Sequence, residues 1–189
     1  MPLFSRKDGD PVPDVPAYRR IMPFIMRTRT ESAVYFEQQL DAAQAMEFIS
    51  RWNGTGKPRI TYFHLVLRAI VETLAERPRL NRFTMGGRLY QRRGTWISFS
   101  AKKKLDDDSP VVVIKREFKA SDSFAQTVAT IAGDVTEGRS DKVSHVDKEL
   151  KLFLSLPVPV LRLGVKLLRW LDDWNLLPHA FTAPDPLYA

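Results

Sequence analysis

The clearest period in the chain runs from Thr61 to Glu76. Tyr62, Val66, Ala69, Ile70, Thr73 and Leu74 recur at intervals of three and four, with Arg68, Glu72 and Glu76 on the other side. That spacing predicts an amphipathic helix, capped by Thr61 and ended at Arg77-Pro78, because the residue before proline is pushed out of helical geometry. Ala42, Ala45, Met46 and Ile49 predict another helix behind an Asp41 cap, ending about Arg51. Phe124, Val128, Ile131 and Val135 predict a third, capped by Ser121 or Asp122 and stopped by Gly138. Tyr18–Arg29 reads as a short helix in which Pro23 must occupy the first turn or break it. A final helical region is apolar from Leu150 to Leu156, is interrupted by Pro157 and Pro159, and resumes from Val160 to Leu177.

Strand patterns lie between these helices. Ala33 to Leu40 is rich in strand formers, and Trp96–Ser100 alternates as a half-buried strand does. Asn81–Met85 and Arg88–Arg92 flank Gly86-Gly87, a two-residue turn of the kind that needs positive φ. Val111–Ile114 is continuously apolar, as in a strand covered on both faces. Asn53–Pro58 is a loop, and the opposed charges of Lys102–Pro110 read as a solvated turn. Pro2, Pro11, Pro13 and Pro16 make residues 1–16 an extended arm, poorly ordered unless something covers it. Helices alternating with strands and a hairpin predict a layered α/β sheet.

Composition narrows the chemistry. The 189 residues suit one domain and include no cysteine, which excludes disulfides, thiolate nucleophiles and iron–sulfur clusters. The start has no signal-peptide core and no run is long enough to span a membrane, so the default compartment is the cytoplasm. The net charge of +7 lies wholly in residues 1–100. Much of it is in Arg77, Arg79, Arg82, Arg88, Arg92 and Arg93, a stretch without an acid. Such a cluster meets a polyanion or is a solvated face.

Catalytic motifs are missing. There is no G-x-S-x-G, G-x-G-x-x-G, P-loop or H-E-x-x-H. His64, His145 and His179 read as structural or solvated, with His64 placed to help cap its helix. Asp106, Asp107 and Asp108 are a charged turn, because consecutive carboxylates on a strand cannot all face one ion, and no metal is expected. On the last helix Arg162, Lys166 and Arg169 stand at i, i+4 and i+7, beside an apolar flank of Val165, Leu168 and Leu171. The favoured reading buries that flank in the same subunit or a neighbour and leaves the basic stripe wet. The alternative lays the helix on an anionic membrane surface.

The run Ile60–Arg82, with its Ile-Thr-Tyr entry, long helix with a central Ala and Pro-Arg-Leu-Asn exit, resembles the catalytic domain of 2-oxoacid dehydrogenase acyltransferases, in the chloramphenicol acetyltransferase-like superfamily. Gly86–Tyr90 is similar to that family's hairpin, Trp96–Ala101 and Pro110–Lys115 to its next strands, Ser121–Glu137 to the following helix, and Val34–Asp41 to an earlier strand. The resemblance covers about Tyr18 to Arg139. It implies a two-layer sandwich, a mixed sheet with helices on one face, incomplete in this chain. The divisions are then residues 1–16 as the arm, 17–149 as the N-terminal part of an acyltransferase-like domain, and 150–189 as a helical insertion running toward a missing C-terminal part. The family's His-x-x-x-Asp-Gly base and its Asn-(Leu/Ile)-Gly strand do not occur in the sequence.

The function expected from this resemblance is transfer of an acyl group between CoA and a thiol, hydroxyl or amine, with no catalytic residue in this chain. The alternative is a non-catalytic assembly or membrane-surface module on the same fold. CoA or acyl-CoA is the expected substrate, with Arg88, Arg92 and Arg93 near its phosphates. Trimer-based homo-oligomers and a second segment or chain completing the fold are the expected partners. Nucleic acid is not expected, because no aromatic-interleaved basic motif occurs.

Overall fold

The computed structural model describes residues 6–26, 28–102, 111–139 and 157–177. They form a mixed α/β structure. In chain order the elements are β1 (Gly9–Pro11), α1 (Ala17–Ile25), α2 (Arg29–Ser32), α3 (Ala43–Asn53), α4 (Tyr62–Glu76), a short 3-10 turn (Pro78–Leu80), β2 (Arg82–Met85), β3 (Arg88–Arg92), β4 (Thr95–Lys102), β5 (Val111–Phe118), α5 (Phe124–Arg139) and α6 (Val158–Asp173). The described strands make two antiparallel sheets, β1-β3-β2 and β4-β5, and not one mixed sheet. Residues 103–110, 140–156 and 178–189, which carry the predicted acidic turn, His145, the Leu150–Leu156 run and His179, lie outside the described residues.

The core is a helix-on-sheet layer. Leu67 and Val71 of α4, Ile131 of α5 and Phe118 of β5 are buried together, with Ile97, Phe99 and Val135 packed around them. Register puts Ile97 and Phe99 on the same sheet face as Phe118, because Thr95 pairs with Phe118 and Ile97 with Arg116. Polar ties reinforce the layer. Asp134, buried on α5, accepts from the Arg116 guanidinium on β5, at 2.8 Å to Nε. Arg68 donates to Glu72 at 2.8 Å and to the Ala120 carbonyl at 2.8 Å, fastening α4 to the β5–α5 turn.

Several expectations change. The predicted apolar face of α4 is not the core face: Val66 is 57% exposed, Tyr62 and Ile70 are exposed, and Leu67 and Val71 go inside. Val111–Ile114 is covered on one face only, since Val111 and Val113 remain exposed. Val34–Leu40 forms no strand: it is irregular, and Val34, Tyr35, Phe36 and Leu40 are exposed, because no strand among the described residues takes up its backbone groups. Gly138 does not stop α5. The helix continues to Arg139, and a Cβ at Gly138 would lie 3.1 Å from Val112 Cγ1, so this glycine allows close helix–sheet approach. The α5 cap is Ser123, which exchanges bonds with Gln126, while Asp122 instead accepts from the Lys119 amide. Pro23 sits past the first turn of α1, which ends two residues later.

The arm is also more than an extended lead-in. Gly9–Pro11 adds an edge strand to β3, and the Val12 amide donates to the Leu89 carbonyl at 3.0 Å. Its prolines are tolerated at an edge because no second strand needs their missing N–H.

Ala42, and not Asp41, holds the cap position of α3, one residue on, although Asp41 accepts from the Ala43 amide at 2.9 Å. Other expectations hold. Gly86 and Gly87 both have positive φ, as the β2–β3 turn requires. Thr61 and His64 form a capping box at α4, with the Thr61 amide donating to His64 Nδ1 at 3.1 Å.

That bond needs the neutral ring, and burial holds the His64 imidazole below its ordinary value of 6.5. A histidine whose folded pKa is depressed favours folding above its unfolded pKa. Its contribution is lost as pH falls from about 6.5 through the lower folded value. The melting temperature should therefore drop between about pH 7 and pH 5, and His64→Gln, which keeps the box but cannot titrate, should flatten that drop. An equal pH slope in wild type and His64→Gln would show that His64 contributes nothing to it.

Candidate functional site

A cleft of about 820 Å³ opens between the proline arm, α1 and the β2–β3 turn. That volume suits a small-molecule ligand. Its construction is local. The prolines keep the arm extended as it leaves β3, α1 turns back across it, and Gly86-Gly87 closes the end. A Cβ at Gly87 would lie 2.7 Å from Phe24 Cζ of α1, so any side chain there would displace the Phe24 ring, and the positive φ of this residue favours glycine as well.

The walls are mostly apolar, with Ile21, Phe24 and Leu89 among them, and three arginines, Arg19, Arg20 and Arg88, stand at the lining. Among the described residues the lining holds no carboxylate, imidazole or hydroxyl. This arrangement suits retention of an anion with an apolar part. It carries no nucleophile–base pair.

The three arginines expected near CoA phosphates are not gathered in one place. Arg88 lines the cleft. Arg92 is four residues along the same strand, about 13 Å away at strand rise, and lies over the Phe83 ring at 4.5 Å to the centroid. Burial lowers its pKa, with nearby Asp8 acting the other way. Arg93 donates to both Asp10 oxygens, at 3.1 Å from Nε, and holds that carboxyl below its ordinary range. Arg19 and Arg20 were not among the expected site residues. The signal for them is an Arg-Arg pair on a short helix directly after a proline arm, which brings basic groups back over the arm.

Arg162, Lys166 and Arg169 are exposed on α6, as expected. Their apolar neighbours are less covered than expected: Val165 and Leu168 are each about 40% exposed and Leu171 is half-buried. What anchors α6 lies at its C-terminal end. Asp172 is buried against Arg6, and the Asp173 carboxylate accepts from the Gly86 amide at 3.3 Å.

Among the described residues there is no cluster of metal-ligating side chains, and no helix is long and apolar enough to cross a membrane. Comparison with family models, with curated proteins and with solved structures gives no match for this chain.

Proposed function

We propose that the chain is part of a chloramphenicol acetyltransferase-like acyltransferase and supplies a binding site for CoA or acyl-CoA. The observation that carries this is the arginine-lined apolar cleft. Its apolar walls suit the pantetheine and acyl portion, and Arg19, Arg20 and Arg88 suit the phosphates. The order of helix, hairpin, two long strands and helix from α4 to α5 follows the order of the resembling motifs. On this proposal the general base comes from a second segment or chain, since the sequence has no His-x-x-x-Asp-Gly and His64 is engaged in a cap. A homo-oligomer, trimer-based in the resembled family, is part of the proposal. The exposed apolar faces of α4 and β5, with Tyr62, Val66, Ile70, Val111 and Val113, support it.

Calorimetric titration of the protein with CoA, its oligomeric state recorded by light scattering, tests the reading. Binding should be weak and should fall with salt. Arg88→Ala should weaken it about tenfold, as expected for loss of one charged phosphate contact worth about 1.5 kcal/mol or more. Arg93→Ala should leave it within about twofold, because Arg93 is committed to Asp10. No heat at millimolar CoA would reject the proposal.

A further inference from the structure

We infer that α6, together with the outer face of α1, forms a docking surface for an anionic lipid bilayer. The inference does not depend on the acyltransferase reading.

The α6 helix has a second apolar stripe besides Val165, Leu168 and Leu171. Leu163, Leu167, Trp170 and Trp174 fall at i, i+4, i+7 and i+11, on one face of a helix. They are the more open side. Leu163 is 69% exposed, and Leu167, Trp170 and Trp174 are all exposed. Arg162, Lys166 and Arg169 flank this stripe and are exposed too. An apolar stripe with tryptophans beside a row of basic residues is the layout of a helix lying in a membrane interface, with rings at the headgroup level and cations toward anionic lipid.

The helix also carries two acids. Asp172 is buried against Arg6, while Asp173 stays exposed at the end of the helix, where its carboxylate accepts from the Gly86 amide at 3.3 Å. The outward face sets three basic residues against that one acid, so it is cationic and apolar. That charge pattern complements an anionic bilayer and does not match an apolar protein groove.

A second helix meets the first at the same turn. A Cβ at Gly86 would lie 2.6 Å from the Asp173 carbonyl oxygen, and one at the next residue, Gly87, would lie 2.7 Å from Phe24 of α1. The C-terminal ends of α1 and α6 thus abut two consecutive glycines. On α1, Tyr18, Met22 and Ile25 form their own exposed stripe at i, i+4 and i+7, outside the cleft lining. That helix has no acid and carries Arg19 and Arg20. Two short basic amphipathic helices pinned at one turn present more apolar area to a bilayer than either alone.

Flotation of the full chain with phosphatidylcholine vesicles, with and without about a quarter phosphatidylglycerol, tests this. The wild type should float with the anionic vesicles and much less with the neutral ones. It should be released at about 1 M salt, where screening acts within roughly 3 Å. The triple variant Arg162→Gln, Lys166→Gln, Arg169→Gln should lower partitioning about a hundredfold, from about 1 kcal/mol per basic residue near the surface. The variant Leu163→Ser, Leu167→Ser, Trp170→Ser should also lose binding while keeping the wild-type melting temperature. Absence of the wild type from the anionic fraction would overturn the inference. So would equal flotation with both lipids, or binding that both triple variants retain. An oligomer without vesicle binding, dissociated by the serine variant, would assign the surface to a second copy instead. CoA is absent from this assay, so its outcome is separate from that of the titration.

Discussion

Replacing Asp172 with Ala is expected to destabilise the protein by about 3–5 kcal/mol, the usual cost of removing one partner from a buried ion pair. Arg6 is only 5% exposed, and its Nη1 and Nη2 each lie 3.1 Å from Asp172 Oδ1, with Nη1 also 3.1 Å from the Asp172 carbonyl oxygen. Burial alone would lower the pKa of the Arg6 guanidinium, but Asp8 and Asp172 together raise it. In Asp172→Ala the buried cation keeps the backbone carbonyl of residue 172 and Asp8, which lies 2.9 Å from Nε and is partly open to water, but loses its buried carboxylate. The bridge joins residues 166 apart in sequence, so its loss also loosens the end of α6 from the arm. The double variant Arg6→Met, Asp172→Leu removes both charges and should be much closer to wild type, because no uncompensated charge remains. Urea denaturation of the three proteins measures this. A loss below about 1 kcal/mol for Asp172→Ala would mean that water reaches the site and solvates Arg6.

Leu67→Ala should cost about 2–5 kcal/mol, whereas Val66→Ala, one residue away, should change stability by no more than about 0.5 kcal/mol. Leu67 is 2% exposed and packs with Val71, Phe118 and Ile131, so its truncation leaves a cavity in the layer where α4 and α5 meet β4 and β5. Val66 faces outward. Denaturation midpoints of the two variants at matched slopes decide the matter. Equal losses would show that a partner chain covers the Val66 face in solution and would favour the oligomer in the proposed function.

The same two residues show where sequence reasoning stops. Helix α4 has leucine, valine or isoleucine on most of its circumference, so the three-to-four period marks a helix without deciding which apolar side is inward. The choice came from β4 and β5, whose register presents Ile97, Phe99 and Phe118 to Leu67 and Val71. On α6 the sequence picked out the basic row and one apolar flank. The more exposed flank, Leu163 to Trp174, became distinct only once Asp172 was seen buried and the helix rotation thereby set. The candidate cleft was half legible. Arg88 stood out as part of an acid-free run, but Arg19 and Arg20 join it only because α1 and the arm pack beside the distant Gly86-Gly87 turn, a meeting that the Arg-Arg pair alone does not specify. Arg93, alike in sequence, is taken by Asp10, which lies 83 residues earlier.

The sequence by itself determined what depends on near neighbours. Gly86-Gly87 specified its turn because only glycine enters positive φ without strain at both positions. Thr61 and His64 specified a helix start because the capping groups are three residues apart. Arg77-Pro78 ended α4 because proline's ring excludes helical geometry from the residue before it. The tertiary structure decided what depends on distant partners. Val34–Leu40 has strand composition and no strand, because a strand exists only where another backbone takes its hydrogen bonds. Gly9–Pro11 has poor strand composition and is one, because β3 had an open edge to offer.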